Sequence, residues 1–273
     1  MSPRNGLLER LARLVVGLAN RFVRRFNKPD HTIFAPGSPD DPADTLYGRL
    51  IKTYAPGRSF ADICCMWAMH GKTAYYAEEL GATKVTAFDG MDATPEFEEE
   101  RRRRNSRIRF VQGDLDKRDL ERSIGKHDVV WCTGLLYHTP EPFRVISDLL
   151  SIAGEYAILG SKTAPEVPGM PNMPIFLPGL GEAERKALMP YWGKNLRRPF
   201  GNLPAWDYEW WWLLTGSTIA SMIEAHRGWK VVGIHRRTRA GLNDDCVVVA
   251  RRLAAAAASL TTAAAPALSS AAA

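Results

Sequence analysis

The sequence predicts an α/β protein: a doubly wound, seven-stranded, mostly parallel sheet with an N-terminal amphipathic helix and a lid insertion after strand five. Three observations lead there. Short runs rich in apolar and β-branched residues occur at 59–64, 84–88, 108–112, 128–132, 156–160, 229–235 and 246–249. Helical stretches at 73–80, 95–104, 142–152 and 217–226 separate most of them, and such alternation builds a parallel sheet covered by helices on both faces. The last two runs are joined by Arg236 to Asp245, which leaves no room for a crossover helix, so they are expected to pair as an antiparallel hairpin.

Composition agrees with this class. The 273 residues are 45% apolar, 24% charged and 10% aromatic, inside the globular range, and a chain this long buries a core without crosslinks. The cysteines, Cys64, Cys65, Cys132 and Cys246, make neither a disulfide framework nor a C-x-x-C pair, which favours a reducing cytoplasm. Of the net charge of +6, residues 1–30 contribute +5 through Arg4, Arg10, Arg13, Arg21, Arg24, Arg25 and Lys28 against Glu9 and Asp30. A nearly neutral body behind a basic arm argues against a general reader of phosphate backbones.

The ends and the insertion read as follows. Leu7, Leu8, Leu11, Leu14, Val15, Leu18, Phe22 and Phe26 recur at helical spacing with arginines between them, an amphipathic helix that packs on the domain or touches an anionic membrane surface through residues 7–26. Arg13 and Arg21 interrupt it too often for a membrane span. Residues 27–56, carrying Pro29, Pro36, Pro39, Pro42 and Pro56, are expected to be an irregular connector, so that helix and linker occupy 1–56 and the domain 57–252. The Ala-rich stretch 253–273 is expected to be a disordered tail. Residues 163–213 are too long for a plain connection. They hold eight of the 18 prolines and five of the eight tryptophans (Trp192, Trp206, Trp210, Trp211, Trp212), as a stiff lid over a partly apolar acceptor would. The Glu98 to Arg104 charge run places opposite signs three and four apart, so it pairs with itself on a helix.

Ligands of such a sheet bind beyond the carboxyl ends of its strands. Asp89 follows an apolar strand and lies 27 residues after Asp62, the place from which a carboxylate accepts both hydroxyls of a ribose. Asp114 ends the third strand and faces an adenine amine, with Leu115 beside the base. The first loop, Asp62-Ile63-Cys64-Cys65-Met66-Trp67-Ala68-Met69-His70-Gly71, has one glycine and no Lys or Arg before its end. It is a poor cradle for the pyrophosphate of NAD or the phosphates of ATP. A nucleoside ligand without phosphates fits better, and an acid suits its cationic end.

Residues Ala61 to Cys65, Val85 to Asp89, Val111 to Leu115, His127 to Val130 and Gly134 to His138 together resemble the class I S-adenosylmethionine-dependent methyltransferases, over about 58–249, with their Rossmann-like sheet. Gly134 to Pro142 is similar to the Leu-Tyr-His-x-x-x-Pro stretch of the branch that includes the carboxymethyltransferases of tRNA wobble uridine. The resemblance implies S-adenosylmethionine as cofactor and no metal. By position, Asp62, Cys64, Ala68 and Gly71 hold the methionine part, Asp89 the ribose, and Asp114 with Leu115 the adenine; Thr133 and Gly134 line the path of the methyl group. The chain departs from the family at its Asp-x-Gly-x-Gly-x-Gly motif, where Cys64, Met66 and Ala68 replace the glycines. Left-handed backbone is costlier there, and Met66 and Trp67 either pack beneath the ligand or fill its pocket.

Methyl transfer from a sulfonium needs positioning and an unprotonated nucleophile. His138, just past the fourth strand, is the expected general base, and Tyr137 orients substrate or packs on the sheet. These readings converge on a cytoplasmic methyltransferase acting on oxygen or nitrogen of a small-molecule acceptor. The alternatives are a tRNA wobble-uridine modifying transferase and a noncatalytic adenosine-binding or membrane-associated scaffold; nucleic acid is the less expected partner.

Overall fold

The computed structural model describes residues 45–67, 69–117, 119–181, 183–184, 210–238 and 244–254. The arginine-spaced helix expected at 7–26, Ala68, Trp192, Trp206 and the alanine tail beyond 254 lie outside the described residues. In chain order the elements are α1 (Leu46–Tyr54), β1 (Ser59–Ile63), α2 (Lys72–Glu79), β2 (Lys84–Asp89), α3 (Pro95–Arg103), β3 (Arg109–Gln112), α4 (Leu120–Ile124), β4 (His127–Thr133), α5 (Pro142–Ile152), β5 (Ala153–Thr163), β6 (Ile175–Phe176), β7 (Trp212–Leu213), α6 (Gly216–Glu224), β8 (Trp229–Thr238) and β9 (Asp244–Arg252).

Seven strands form one sheet in the order β3-β2-β1-β4-β5-β9-β8. Strands β1 to β5 pair in parallel. β9 runs antiparallel to both β5 and β8, which is the expected hairpin, with β8 at the edge. The order reverses between β1 and β4, so the carboxyl ends of these two strands open the crevice where a ligand of a doubly wound sheet sits.

Successive strand residues point to opposite faces, and the two cores follow that period. Phe60, Val129, Trp131, Ile158, Val247 and Val249 pack with α1, α2 and α3. Ala61, Val130, Cys132, Leu159 and Val248 pack with α4, α5 and α6. Local chemistry sets the helix starts. Thr45 Oγ1 accepts from Gly48 N at 2.9 Å to open α1, Thr94 Oγ1 accepts from Phe97 N at 3.2 Å with Pro95 at the first turn of α3, and Thr215 Oγ1 accepts from Thr218 N at 3.1 Å on α6. On α3 the charge run pairs with itself as expected: Glu100 meets Arg103 and Arg104, and Glu98 meets Arg101. The Arg103 and Arg104 guanidiniums hold the Glu100 carboxyl down at about 2.

The connector reading of 27–56 is corrected at its far end. Leu46–Tyr54 is a helix whose Leu46, Leu50 and Ile51 are buried in the core with Phe60 and Trp131. The prolines around it masked a short apolar face behind a threonine cap. Two strands were also unforeseen: β6 and β7, two residues each, pair across the insertion. Ala164 N donates to Leu214 O at 2.9 Å, so the two ends of the insertion are zipped together at the sheet.

Candidate functional site

The residues at the carboxyl ends of β1 to β4 converge. Asp62 is 2% exposed and accepts from Ala74 N, in the first turn of α2, at 3.1 Å. Burial pushes its carboxyl well above the usual carboxylate range; the Ala74 hydrogen bond opposes this and the charge of Asp89 adds to it. Asp89 is 6% exposed, and its two oxygens accept separately from Met66 N and Met91 N, each at 2.8 Å. One carboxylate thus ties the loop after β1 to the loop after β2. Among the described residues neither acid is in an ion pair, so two buried carboxylates lie side by side with no cation to offset them.

The first loop takes the shape that glycines would give. Cys64 has φ 60, a left-handed conformation in which a side chain costs about 1–2 kcal/mol, and the chain turns there after Cys64 N donates to Phe88 O at 2.8 Å. Met66 is fully buried in the core with Phe60 and Trp131, whereas Trp67 is 75% exposed. Neither lines the cavity described below. Gly71, φ 70, opens α2 with no room for a side chain: a Cβ would stand 2.4 Å from the ring of buried Phe97.

A cavity of ≈ 620 Å³ opens beside the loop, lined by Cys64, Gly113, Asp114, Leu115, His138 and Val145 among others. Its size and mixed polar and apolar wall suit a nucleoside-sized ligand. Of the residues expected from sequence, Cys64, Asp114, Leu115 and His138 line it. Asp62, Asp89 and Gly71 are not among its lining residues but belong to the strand ends and loops beside it, and the Thr133 side chain is turned against Gly160. Tyr137 Oη lies 3.7 Å from where a Cβ on Gly134 would stand, above the tip of β4. The Tyr137 and His138 rings are 4.1 Å apart, and Trp210 meets Tyr137 edge-on at 5.1 Å. His138 is exposed at the rim.

The insertion holds this corner in place, which the sequence did not disclose. Trp211 N donates to Tyr137 O at 2.7 Å and Trp212 Nε1 to Pro140 O at 3.1 Å. Leu177, Trp210 and Leu213 form a small core of their own against Tyr137 and Ile175. Glu166 anchors the insertion's base: it accepts from Ser217 N at 2.8 Å and Ser217 Oγ at 2.7 Å, and pairs with Arg236 at 2.7 Å.

No protein-family model matches the chain, and no curated protein matches it. Solved structures do. The N-terminal domain of EvdMO1, solved with SAH bound, is 17% identical, with a TM-score of 0.53 over 93% of this chain and 98% of that one. A putative methyltransferase from Bacillus halodurans C-125 is 13% identical, TM-score 0.52, over 77% of this chain and 99% of that one. Magnesium protoporphyrin IX methyltransferase from Synechocystis PCC 6803, with bound SAH, is 18% identical, TM-score 0.50, over 77% and 81%. The sheet order and these likenesses together show that the chain has the Rossmann-like fold of the class I methyltransferases.

Proposed function

We propose that the protein is an S-adenosylmethionine-dependent methyltransferase that methylates an oxygen or nitrogen of a small, partly apolar acceptor. The observation that carries this reading is the nucleoside-sized cavity at the tips of β1 to β4, set beside two buried carboxylates with no cationic partner among the described residues. A ligand with a cationic amino acid end and an uncharged nucleoside end fits both. The solved neighbours that hold SAH support the choice of ligand.

Bound there, S-adenosylmethionine supplies an activated methyl group. Asp62 and the Cys64 to Gly71 loop hold its methionine part. Asp89 fixes the loop through the Met66 and Met91 amides, and each of its oxygens keeps a lone pair for a ribose hydroxyl. Asp114 and Leu115 take the adenine. His138, at the rim, receives the proton that the acceptor gives up, and the Tyr137 hydroxyl beside Gly134 orients the acceptor atom. Trp210 to Trp212 give the acceptor side its apolar wall and exclude water from the tip of β4. Removing His138 costs about 10²–10⁴ in rate if it is the general base.

Two measurements test the reading. Titration calorimetry with S-adenosylhomocysteine should show one site per chain, weakened in Asp62→Asn. Methyl-labelled cofactor incubated with fractionated cell extract should label a small-molecule fraction. Absence of binding to the wild-type chain overturns the reading, and label that appears only in tRNA moves it to the nucleic acid alternative.

A further inference from the structure

We propose that Cys64 and Cys132 form a peroxide-sensitive dithiol whose closure to a disulfide disables the nucleoside cavity. The proposal rests on the cofactor reading above for its consequence, but not for its chemistry. The strand register supplies the juxtaposition. Ile63, the last residue of β1, is the partner of Cys132 on β4, with neighbouring strands about 4.8 Å apart, so the residue after Ile63 stands one position beyond a direct neighbour of Cys132, and a disulfide bridges about 4.4–6.8 Å between Cα atoms. Cys64 is the next residue. Its left-handed φ of 60 turns the chain, and its side chain packs against the same apolar cluster that contains Cys132. The neighbouring Cys64 side chain, with burial, raises the Cys132 thiol well above its ordinary range.

Access is asymmetric. Cys64 is half-buried and lines the cavity, whereas Cys132 is 1% exposed and behind it. Cys65 offers no equivalent partner: it is buried in the opposite core, with its thiol directed at Phe88 O at 3.7 Å. Cys64 is therefore the sulfur that meets a peroxide entering the cavity, and Cys132 is the one that resolves it. The Cys64 thiolate attacks a peroxide oxygen, forming an S–O bond as the O–O bond breaks, and the departing hydroxide takes a proton to become water. The Cys132 sulfur then displaces the hydroxyl of the Cys64 sulfenic acid; the S–S bond forms and a second water leaves carrying the Cys132 proton. Two thiols are oxidised and one hydrogen peroxide is reduced to two waters.

The cavity feels this directly. Cys64 sits in its wall, and the loop that follows places the Met66 amide on Asp89. Drawing Cys64 onto β4 moves both.

The full-length chain, reduced and then treated with hydrogen peroxide, is examined by peptide mass spectrometry and by S-adenosylhomocysteine calorimetry. The expected results are a Cys64–Cys132 linked peptide and affinity weakened by about tenfold or more, both reversed by dithiothreitol. In Cys132→Ser no link forms and dimedone labels Cys64 as the trapped sulfenic acid; Cys246→Ser behaves as wild type. The proposal is overturned by peroxide that leaves all four thiols free, by a link between any other pair, or by a Cys64–Cys132 link that leaves affinity unchanged. A reduced chain that does not bind S-adenosylhomocysteine defeats the cofactor reading instead, while the linked peptide still decides the dithiol.

Discussion

Replacing Asp89 with asparagine is the sharpest probe of the site, because the geometry fixes both what is lost and how much. The carboxylate oxygens accept from Met66 N and Met91 N at 2.8 Å each, in a setting 6% exposed. An asparagine keeps one acceptor and turns an amide N–H₂ toward the other backbone N–H. One hydrogen bond to a charged acceptor disappears, worth about 1.5–3 kcal/mol, and the survivor becomes neutral and about half as strong. Removing a charge close to Asp62 returns part of this, since Asp89 helps to raise the Asp62 carboxyl. The net expectation is a loss of about 2–4 kcal/mol, which at an ordinary urea slope lowers the unfolding midpoint by about 1 M or more. Calorimetry at a temperature where the variant remains folded should also show S-adenosylhomocysteine bound about ten- to a hundredfold more weakly, since the loop loses its tie and, in the proposed function, the ribose loses its acceptor. A variant less than about 1 kcal/mol destabilised, with wild-type affinity, refutes the assignment of Asp89 as the joint between the two loops.

Other predictions follow from single contacts. Gly71→Ala forces a left-handed alanine against the Phe97 ring, which cannot retreat from Tyr75 and Phe110; chemical denaturation should show a loss of about 2–5 kcal/mol, while Gly57→Ala, with open space around it, loses only about 1–2 kcal/mol. His127, buried between Thr86 Oγ1 and Gly125 O, has its imidazole pushed below the ordinary 6.5, chiefly by burial. The unfolded chain therefore binds more protons between the two values, so this contribution is intact above the ordinary value and lost as pH falls through the folded one. Unfolding at pH 7.5 and 5.0 should show that loss in the wild type and a smaller one in His127→Asn. Glu166→Ala unties the base of the insertion, and hydrogen exchange at the Ser217 amide should quicken by about tenfold, with little change at the Val248 amide in the sheet centre.

The alternation of strands and helices and the antiparallel hairpin at the sheet edge were legible because they rest on local pattern. Short apolar runs put Asp62, Asp89 and Asp114 at or within two residues of strand ends, and α5 over Pro142–Ile152 announced itself by a proline at its first turn and a continuous apolar face. The helix at Leu46–Tyr54 was readable in principle from Thr45 followed by Leu46, Leu50 and Ile51, but the surrounding prolines carried more weight. What could not be read were partners far apart in sequence. Nothing near Asp89 says that its oxygens are taken by the amides of Met66 and Met91, and no two-residue strand such as Ile175–Phe176 carries a period of its own. The absence of glycine at position 64 suggested a loop for which left-handed backbone is costlier. The fold instead bends a cysteine into the left-handed region, a cost that its surroundings offset.

The bonds from Trp211 and Trp212 to Tyr137 and Pro140 bear on how such proteins diversify. A flap stitched by one backbone amide and one indole to the corner that carries His138 cannot be traded as a free cassette. Chimaeras that import a foreign flap to alter acceptor choice should fail unless residues 137–140 travel with it, so the two segments form one heritable unit despite the 70 or so positions between them.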